Sequence, residues 1–277
     1  MGLTLVGNAA MIRSMRLAVA AAVVLAVSAS PARPAGNVGT VVDQGRVLLE
    51  GDEAPNGIVV TAGDQEDGIR VFGLDGTTVN DQPEITLAGV QRLVIRTGDG
   101  PDRVELRQVR IRGSVTIRTG RGGDQVLVEQ ATLQRLDVRS GAGNDALSIG
   151  PQSRIRRLLH LRTGRDRDDV VIESSDLAAI LASTGQGDDV LTIFDVTTTR
   201  RTQVFTNVGQ DTVFFGVTRF IGDVDVNLGE DDDLLRLDTV VFEDDSDLDG
   251  GSDEDALLLD GPVDFDESPR VDFEFGG

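Results

Sequence analysis

The chain has 277 residues, 39% of them hydrophobic and 26% charged, with a formal net charge of -21 and no cysteine. The missing cysteines exclude a disulfide framework, thiol chemistry, a Cys-ligated metal and a lipidated N-terminal Cys. Aromatic residues amount to 4%, all of them Phe, which is thin for a carbohydrate-stacking cleft, and all 26 basic residues are Arg. The charge is unevenly placed: residues 221–277 hold 21 acids against two Arg, a net of -19, whereas residues 90–170 hold 16 Arg against 10 acids. A field whose strongest part is negative argues against nucleic acid as the partner.

Taken in order, the chain opens on a targeting pattern at residues 1–32. Arg13 and Arg16 precede the apolar run LAVAAAVVLAVSA from Leu17 to Ala29, and small residues with Pro follow. A basic region, an apolar run and small residues at its end read as a secretory signal peptide, cleaved after Ala29 or Ala32. Thirteen apolar residues are too few to span a bilayer, so stable membrane insertion is not expected and the protein is read as exported, to the medium or the cell surface. Residues 33–90 read as a cap of short strands: apolar residues alternate in short runs, and Asp75-Gly76 marks a turn. Within it, GDEAPNGIVV is a degenerate copy of the phrase that governs the rest, with Asn56 where the others carry Asp. A terminal unit departs from the consensus because one of its faces lacks a neighbouring coil.

Residues 91–260 repeat that phrase eight times. TGDGPDRVEL, TGRGGDQVLV, SGAGNDALSI and TGQGDDVLTI keep it best, and each copy holds one Asp: Asp102, Asp124, Asp145, Asp168, Asp189, Asp211, Asp233 and Asp255. Their separations are 22, 21, 23, 21, 22, 22 and 22 residues. Alternate positions before and after each Gly-rich turn are apolar, Leu93 and Ile95 or Val104 and Leu106 in the first copy, Leu257 and Leu259 in the last. Period-two alternation is the mark of half-buried strand. A third apolar point recurs about nine residues after the Asp, at Ile111, Leu133, Leu177, Phe220 and Phe242. The chain is therefore expected to be all-β, a parallel β-helix (β-solenoid) of about eight coils of roughly 22 residues behind an irregular N-terminal β cap. Residues 261–277 are expected to add a last strand or a cap.

Stacking places eight carboxylates in a column. Two unit charges 4.8 Å apart repel by roughly 3.5 kcal/mol at an effective dielectric of 20, so the column must be neutralised or solvated. One reading makes each Asp a turn residue, its carboxylate bonded to backbone N–H groups of a neighbouring turn. The other gives the column calcium, a hard cation that takes six to eight oxygens. The stretches GAGNDAL, GQGDDVL and GGSDEDALLL resemble the nonapeptide calcium-binding repeats of RTX and haemolysin-type secreted proteins. That resemblance implies calcium between stacked coils, held by the eight aspartates, with Asp166, Asp231 and Asp253 as further acids at a Gly position of the turn. Repeats of that family recur every nine residues, whereas these recur about every 22.

Two other features bear on function. Arg96, Arg118, Arg139 and Arg162 occupy one outward position in four successive copies, a cationic ladder suited to an anionic polysaccharide or to nothing more than a solvated face. His160 is the only histidine, so Ser-His-Asp or Cys-His chemistry has no constellation to draw on. The reading that follows is a secreted, non-enzymatic, calcium-binding β-solenoid acting as an extracellular structural or adhesion module. A β-helix polysaccharide lyase or hydrolase is the alternative, as is a binder of anionic polysaccharide through the Arg ladder. Coils of 21 to 23 residues leave no insertion from which to build a cleft.

Overall fold

The computed structural model describes residues 36–273; residues 1–32, read above as a signal peptide, lie outside the described residues. Every regular element among them is a strand, and the strands stack into a parallel β-solenoid whose coils repeat about every 22 residues. Each coil has the same plan. A strand runs into the Gly turn, a second strand leaves it, and after a sharp bend a short third segment returns the chain to the next coil. Arg92–Asp99, Arg110–Arg121, Thr132–Ala142 and Arg154–Arg165 are consecutive examples of the first. They pair in parallel with like residue on like, Arg96 on Arg118, Arg118 on Arg139, Arg139 on Arg162. The third segment is continuous with the following strand in the early coils, as in Arg110–Arg121, and with the preceding strand in the later ones, as in Asp169–Leu177.

The alternating apolar positions all turn inward. Val115, Ile117, Leu136, Val138, Leu159 and Leu161 form one set of ladders, and Val126, Val128, Leu147, Ile149, Val170 and Ile172 another, each at most 1% exposed. Ile111, Leu133, Leu177, Phe220 and Phe242 form the third, with Ile155 and the buried Thr198 filling the rungs that the sequence pattern left blank. Toward the C-terminal end this ladder becomes aromatic: Phe220 stacks on Phe242 with ring centroids 5.3 Å apart and Phe242 on Phe265 at 4.8 Å. Burying one such side chain contributes about 1.5–3 kcal/mol, so the narrow core is stabilised rung by rung rather than from one centre.

Each coil bends at two kinds of left-handed corner. At the Gly turn, the first glycine of the seven copies that keep it (Gly98, Gly120, Gly141, Gly164, Gly185, Gly229 and Gly251) has φ between 102° and 123°, and from Gly120 to Gly185 the carbonyl oxygen of one coil lies where the next glycine would carry its Cβ. A Cβ on Gly120 would sit 2.0 Å from the oxygen of Gly98, and one on Gly141 1.9 Å from that of Gly120. The glycine is thus required twice, for its φ and for the close approach of the coil below. The other corner follows the second strand at Gln108, Gln130, Gln152, Ser174, Asp195, Val217 and Thr239, all at φ between 43° and 59°. Here no carbonyl crowds the residue, and side chains are tolerated.

The two ends differ. At the N-terminal end Arg46–Glu50 and Gly57–Ala62 already stack in parallel on Arg92–Asp99 and Arg103–Arg107, so the cap contains a rung of its own. Its hairpins, Asn37–Asp43 on Arg46–Glu50 and Gly57–Ala62 on Ile69–Leu74, turn antiparallel and lead the chain away from that edge. At the C-terminal end, Ala256–Leu259, Val263–Phe265 and Arg270–Asp272 make the last rung. Leu259, whose place in the alternation points inward, is 58% exposed there because no described coil follows to cover it.

A crowded glycine of the Gly turn and an uncrowded left-handed glycine in the loop before Arg92–Asp99 predict different tolerances. Gly141→Ala, which combines φ 114° with the 1.9 Å approach, is expected to cost at least about 3 kcal/mol of unfolding free energy. Gly89→Ala, at φ 67° with nothing within 4 Å, is expected to cost only about 1–2 kcal/mol. Denaturant unfolding of the two variants checks the contrast.

Candidate functional site: a buried carboxylate spine and an outer arginine column

The turn phrase places its Asp two residues after the second left-handed residue, and from there the side chain folds inward under the turn. All eight aspartates of the repeat are buried, at 1–3% exposure. Each carboxylate reaches back one coil. Asp124 Oδ1 accepts from the backbone N–H of Asp102 at 2.8 Å, Asp145 from that of Asp124 at 2.8 Å, and Asp168 from that of Asp145 at 2.8 Å. Asp189, Asp211, Asp233 and Asp255 continue the chain of bonds at 2.7, 2.7, 2.7 and 2.9 Å. At the N-terminal end Asn56 closes it. Its N–H donates to Asp102 Oδ1 at 2.8 Å, and its side-chain amide donates to the carbonyl of Thr97 at 3.0 Å. An amide ends the column without adding a charge.

A second buried column lies beside the first, five residues before six of the eight aspartates. Thr97, Thr119, Ser140, Thr163, Thr184 and Thr206 are at most 2% exposed. Each hydroxyl donates to the carbonyl of its counterpart one coil on, for example Thr163 to Thr184 at 2.7 Å and Thr119 to Ser140 at 3.1 Å. The same hydroxyls also stand within reach of the carboxylates, Thr97 beside Asp102 and Thr163 beside Asp168. A hydroxyl has one proton to give. While it goes to the carbonyl, Oδ2 of Asp102, Asp124, Asp145, Asp168, Asp189, Asp211 and Asp233 is buried without a hydrogen-bond partner. A proton on Oδ2 itself resolves the conflict by donating to the hydroxyl oxygen.

Electrostatics point the same way. Burial raises the Asp102 carboxyl to about 6 against the lowering effect of Thr97 and Asn56. It raises Asp145, Asp168, Asp211 and Asp233 to about 7, with neighbouring aspartates adding to the effect, and pushes Asp124 and Asp189 upward as well. The repulsion expected of a charged column is relieved when its members carry protons.

The remaining acids expected at the turn do not join the spine. Asp166, Asp231 and Asp253 take the second glycine's place at φ 73°, 80° and 87° and point to solvent. Asp166 Oδ2 accepts from Gly143 N–H and Asp253 Oδ2 from Asp231 N–H, both at 3.2 Å. Calcium asks for six to eight converging oxygens. Among the described residues no group of three or more His, Cys, Asp or Glu side chains is arranged to hold a metal, and the inner and outer acids face opposite sides of the turn backbone.

On the outside, Arg96, Arg118, Arg139 and Arg162 do form one column, in register on four successive rungs. Arg96 approaches Glu50 at 3.7 Å and Arg139 binds Asp137 at 3.2 Å, while Arg118 and Arg162 have no ion-pair partner among the described residues. Glu105 lies on a different strand, clamped between Arg103 and Arg107, and does not offset this column. His160 is half-buried beside the arginines, its Nδ1 3.7 Å from Asp137, and burial lowers its pKa. The Thr/Ser column escaped the sequence reading although a Thr or Ser stands five residues before the Asp in six of eight copies, four of them as T/S-G-x-G-x-D. No protein-family model, curated protein or solved structure matches this chain.

The raised carboxyls fix the sign of a pH effect. Their unfolded values lie near 3.9 and their folded values near 6 to 7, so between those limits the folded state binds more protons. Their contribution to stability is fully present below about pH 4 and is lost as pH rises toward 7. The midpoint of thermal unfolding in EDTA is therefore expected to be several degrees higher at pH 5 than at pH 8. At a single site, Asp145→Asn keeps an acceptor for Asp124 N–H and is expected to flatten that slope with little loss at pH 8. Asp145→Ala strands the N–H and is expected to cost about 1–3 kcal/mol at either pH.

Proposed function

We propose that this chain is a non-enzymatic structural rod, an extracellular or cell-surface module whose internal spine is held by protons and backbone N–H groups. The observation that carries the reading is the unbroken column of buried carboxylates, each bonded to the coil before it along the whole solenoid. Such a column stiffens the stack and leaves the turns closed. It makes no opening in which a substrate would meet two or more reactive groups. One concavity among the described residues is an open polar groove over the third segments, lined by Arg110, Ser153, Arg154 and Arg156 among others, and Arg154 is there paired with Asp176 at 2.6 Å. Its one serine beside a carboxylate is Ser174, which donates to Asp195 at 3.0 Å; His160 does not line the groove, so no histidine completes a triad there, which weighs against the hydrolase alternative.

The calcium reading suggested by the repeat phrase is the competing account of the same column. It is favoured by the orphaned Oδ2 atoms, which a cation would satisfy as well as a proton. Against it stand the burial of the carboxylates and the commitment of every Oδ1 to an N–H. Export is part of the proposal and rests on the sequence of residues 1–32 alone.

Thermal unfolding in EDTA and in millimolar calcium, each at pH 5 and pH 8, separates the two. The rod as proposed shifts with pH and by no more than a degree or two with calcium. One calcium site at 100 times its dissociation constant adds about 2.7 kcal/mol and a column of sites adds more. A large upward shift with calcium at pH 8 would overturn the proton-held spine and reinstate the metal.

A further inference from the structure

The arginine column does not end at Arg162. The same register carries it on through Ser183 and Phe205 to Asn227, Asp249 and Asp272, so after Glu50 on its first rung one outward row is basic, passes through an uncharged middle and ends acidic. The row on the far side of the first turn glycine runs the same way after Asp99 on its first rung, with Arg121 and Arg165 early and Glu230 late. Arg118, Arg121, Arg162 and Arg165 at one end, and Glu230 and Asp249 at the other, have no ion-pair partner among the described residues. A linear polyanion laid along this face would leave the arginines after four rungs and meet acids. A second copy, turned end for end, meets the opposite charge at both ends.

We propose that this face is the interface of an antiparallel homodimer, the basic first half of one copy covering the acidic second half of the other. A two-fold axis along the strand direction, between the rungs of Arg162 and Ser183, sets each row against itself in reverse order. Arg96 then opposes Asp249 and Arg121 opposes Glu230. Arg139 lies over the ring of Phe205, and Arg162 meets Ser183. In the row that includes Asp137 and His160, Asp137 faces Gln203 and His160 faces Leu181. Over the eight rungs from Arg96 to Asp249 these three rows bring no two like charges together; one rung beyond, Glu50 faces Asp272. Arg135 and Arg201 at the strand start do oppose each other, and Arg201 is already bound to Asp225 at 3.0 Å. Any whole-rung shift of the axis changes these pairings; moving it onto the Ser183 rung sets Asp137 against Asp225.

The size of the face sets what to expect. Eight rungs at about 4.8 Å and strands of about five residues at about 3.3 Å give roughly 35 by 17 Å, or about 600 Å² per copy. That is near the lower bound for a specific interface. Exposed ion pairs contribute little each and are screened by salt, so the dimer is expected to be of moderate affinity and salt-sensitive.

Sedimentation of the purified chain tests this at 20 mM and 500 mM salt. The wild type should be a dimer at low salt and largely a monomer at high salt. Arg96→Glu with Arg121→Glu, and separately Glu230→Arg with Asp249→Arg, should each give a folded monomer by circular dichroism, and an equimolar mixture of the two should re-form a dimer. A wild type that stays monomeric at 100 μM in low salt overturns the proposal; salt-sensitive binding of polygalacturonate by that monomer would assign the arginines to a polyanion instead. Persistence of the dimer in both charge-reversed variants also overturns it, because the contact would then lie elsewhere. Variants that misfold would show it in their strand signal, and the salt dependence of the wild type then decides alone.

Discussion

A single hydrogen bond, repeated along the axis, is what the rest of the molecule depends on: the backbone N–H of one turn donating to the Asp carboxylate of the next coil. Backbone N–H groups at a left-handed turn have no strand partner, and a buried one left unpaired costs about as much as a lost hydrogen bond. The Asp supplies the acceptor from the coil above, so every turn is completed by its neighbour. This makes one coil incomplete alone and the stack self-templating, the behaviour expected where each unit contacts only its neighbours. It also explains why Asn56 suffices at the first rung, where an acceptor and donors are needed but no further charge.

That bond works only because the coils approach closely, and the approach is set by glycine. With a carbonyl oxygen 1.9–2.1 Å from where the Cβ would stand at Gly120, Gly141, Gly164 and Gly185, no side chain fits. Where the first glycine is replaced, at Asn207 with φ 82°, the residue is one that tolerates the left-handed region. The second corner, without that crowding, accepts Gln, Ser, Asp, Val and Thr. One corner therefore fixes coil spacing, and the other merely turns the chain.

Burying the carboxylates has an electrostatic consequence that the surface does not share. Inside, desolvation and neighbouring aspartates favour the protonated form, so the core carboxyls take up protons as pH falls below about 7. Outside, the charged residues are sorted, mainly arginine on the early rungs and acid on the late ones. The exterior thus carries both signs of charge, and it is the exterior that offers this rod something to bind.

By itself the sequence determined the coil. The 21- to 23-residue spacing, the alternation of Val, Ile and Leu, and the Gly-x-Gly-x-Asp phrase are local patterns, and a strand's two-residue period and a glycine's φ are read directly from them. It also marked the Asp and Arg columns, because like residues at one period must stack. Tertiary structure decided which way the columns faced and what they touched. Whether Asp145 leans out to solvent or in under the turn depends on the position of Asp124 N–H one coil away, a contact between residues 21 apart that no local pattern encodes. The Thr97-to-Thr206 column belongs to the same class: a small polar residue before glycine reads as turn chemistry until neighbouring coils bury it and its hydroxyl must find a carbonyl. The reversal of charge along the outer face was likewise present in the composition as a gradient, but only the register of successive strands turned the gradient into a surface.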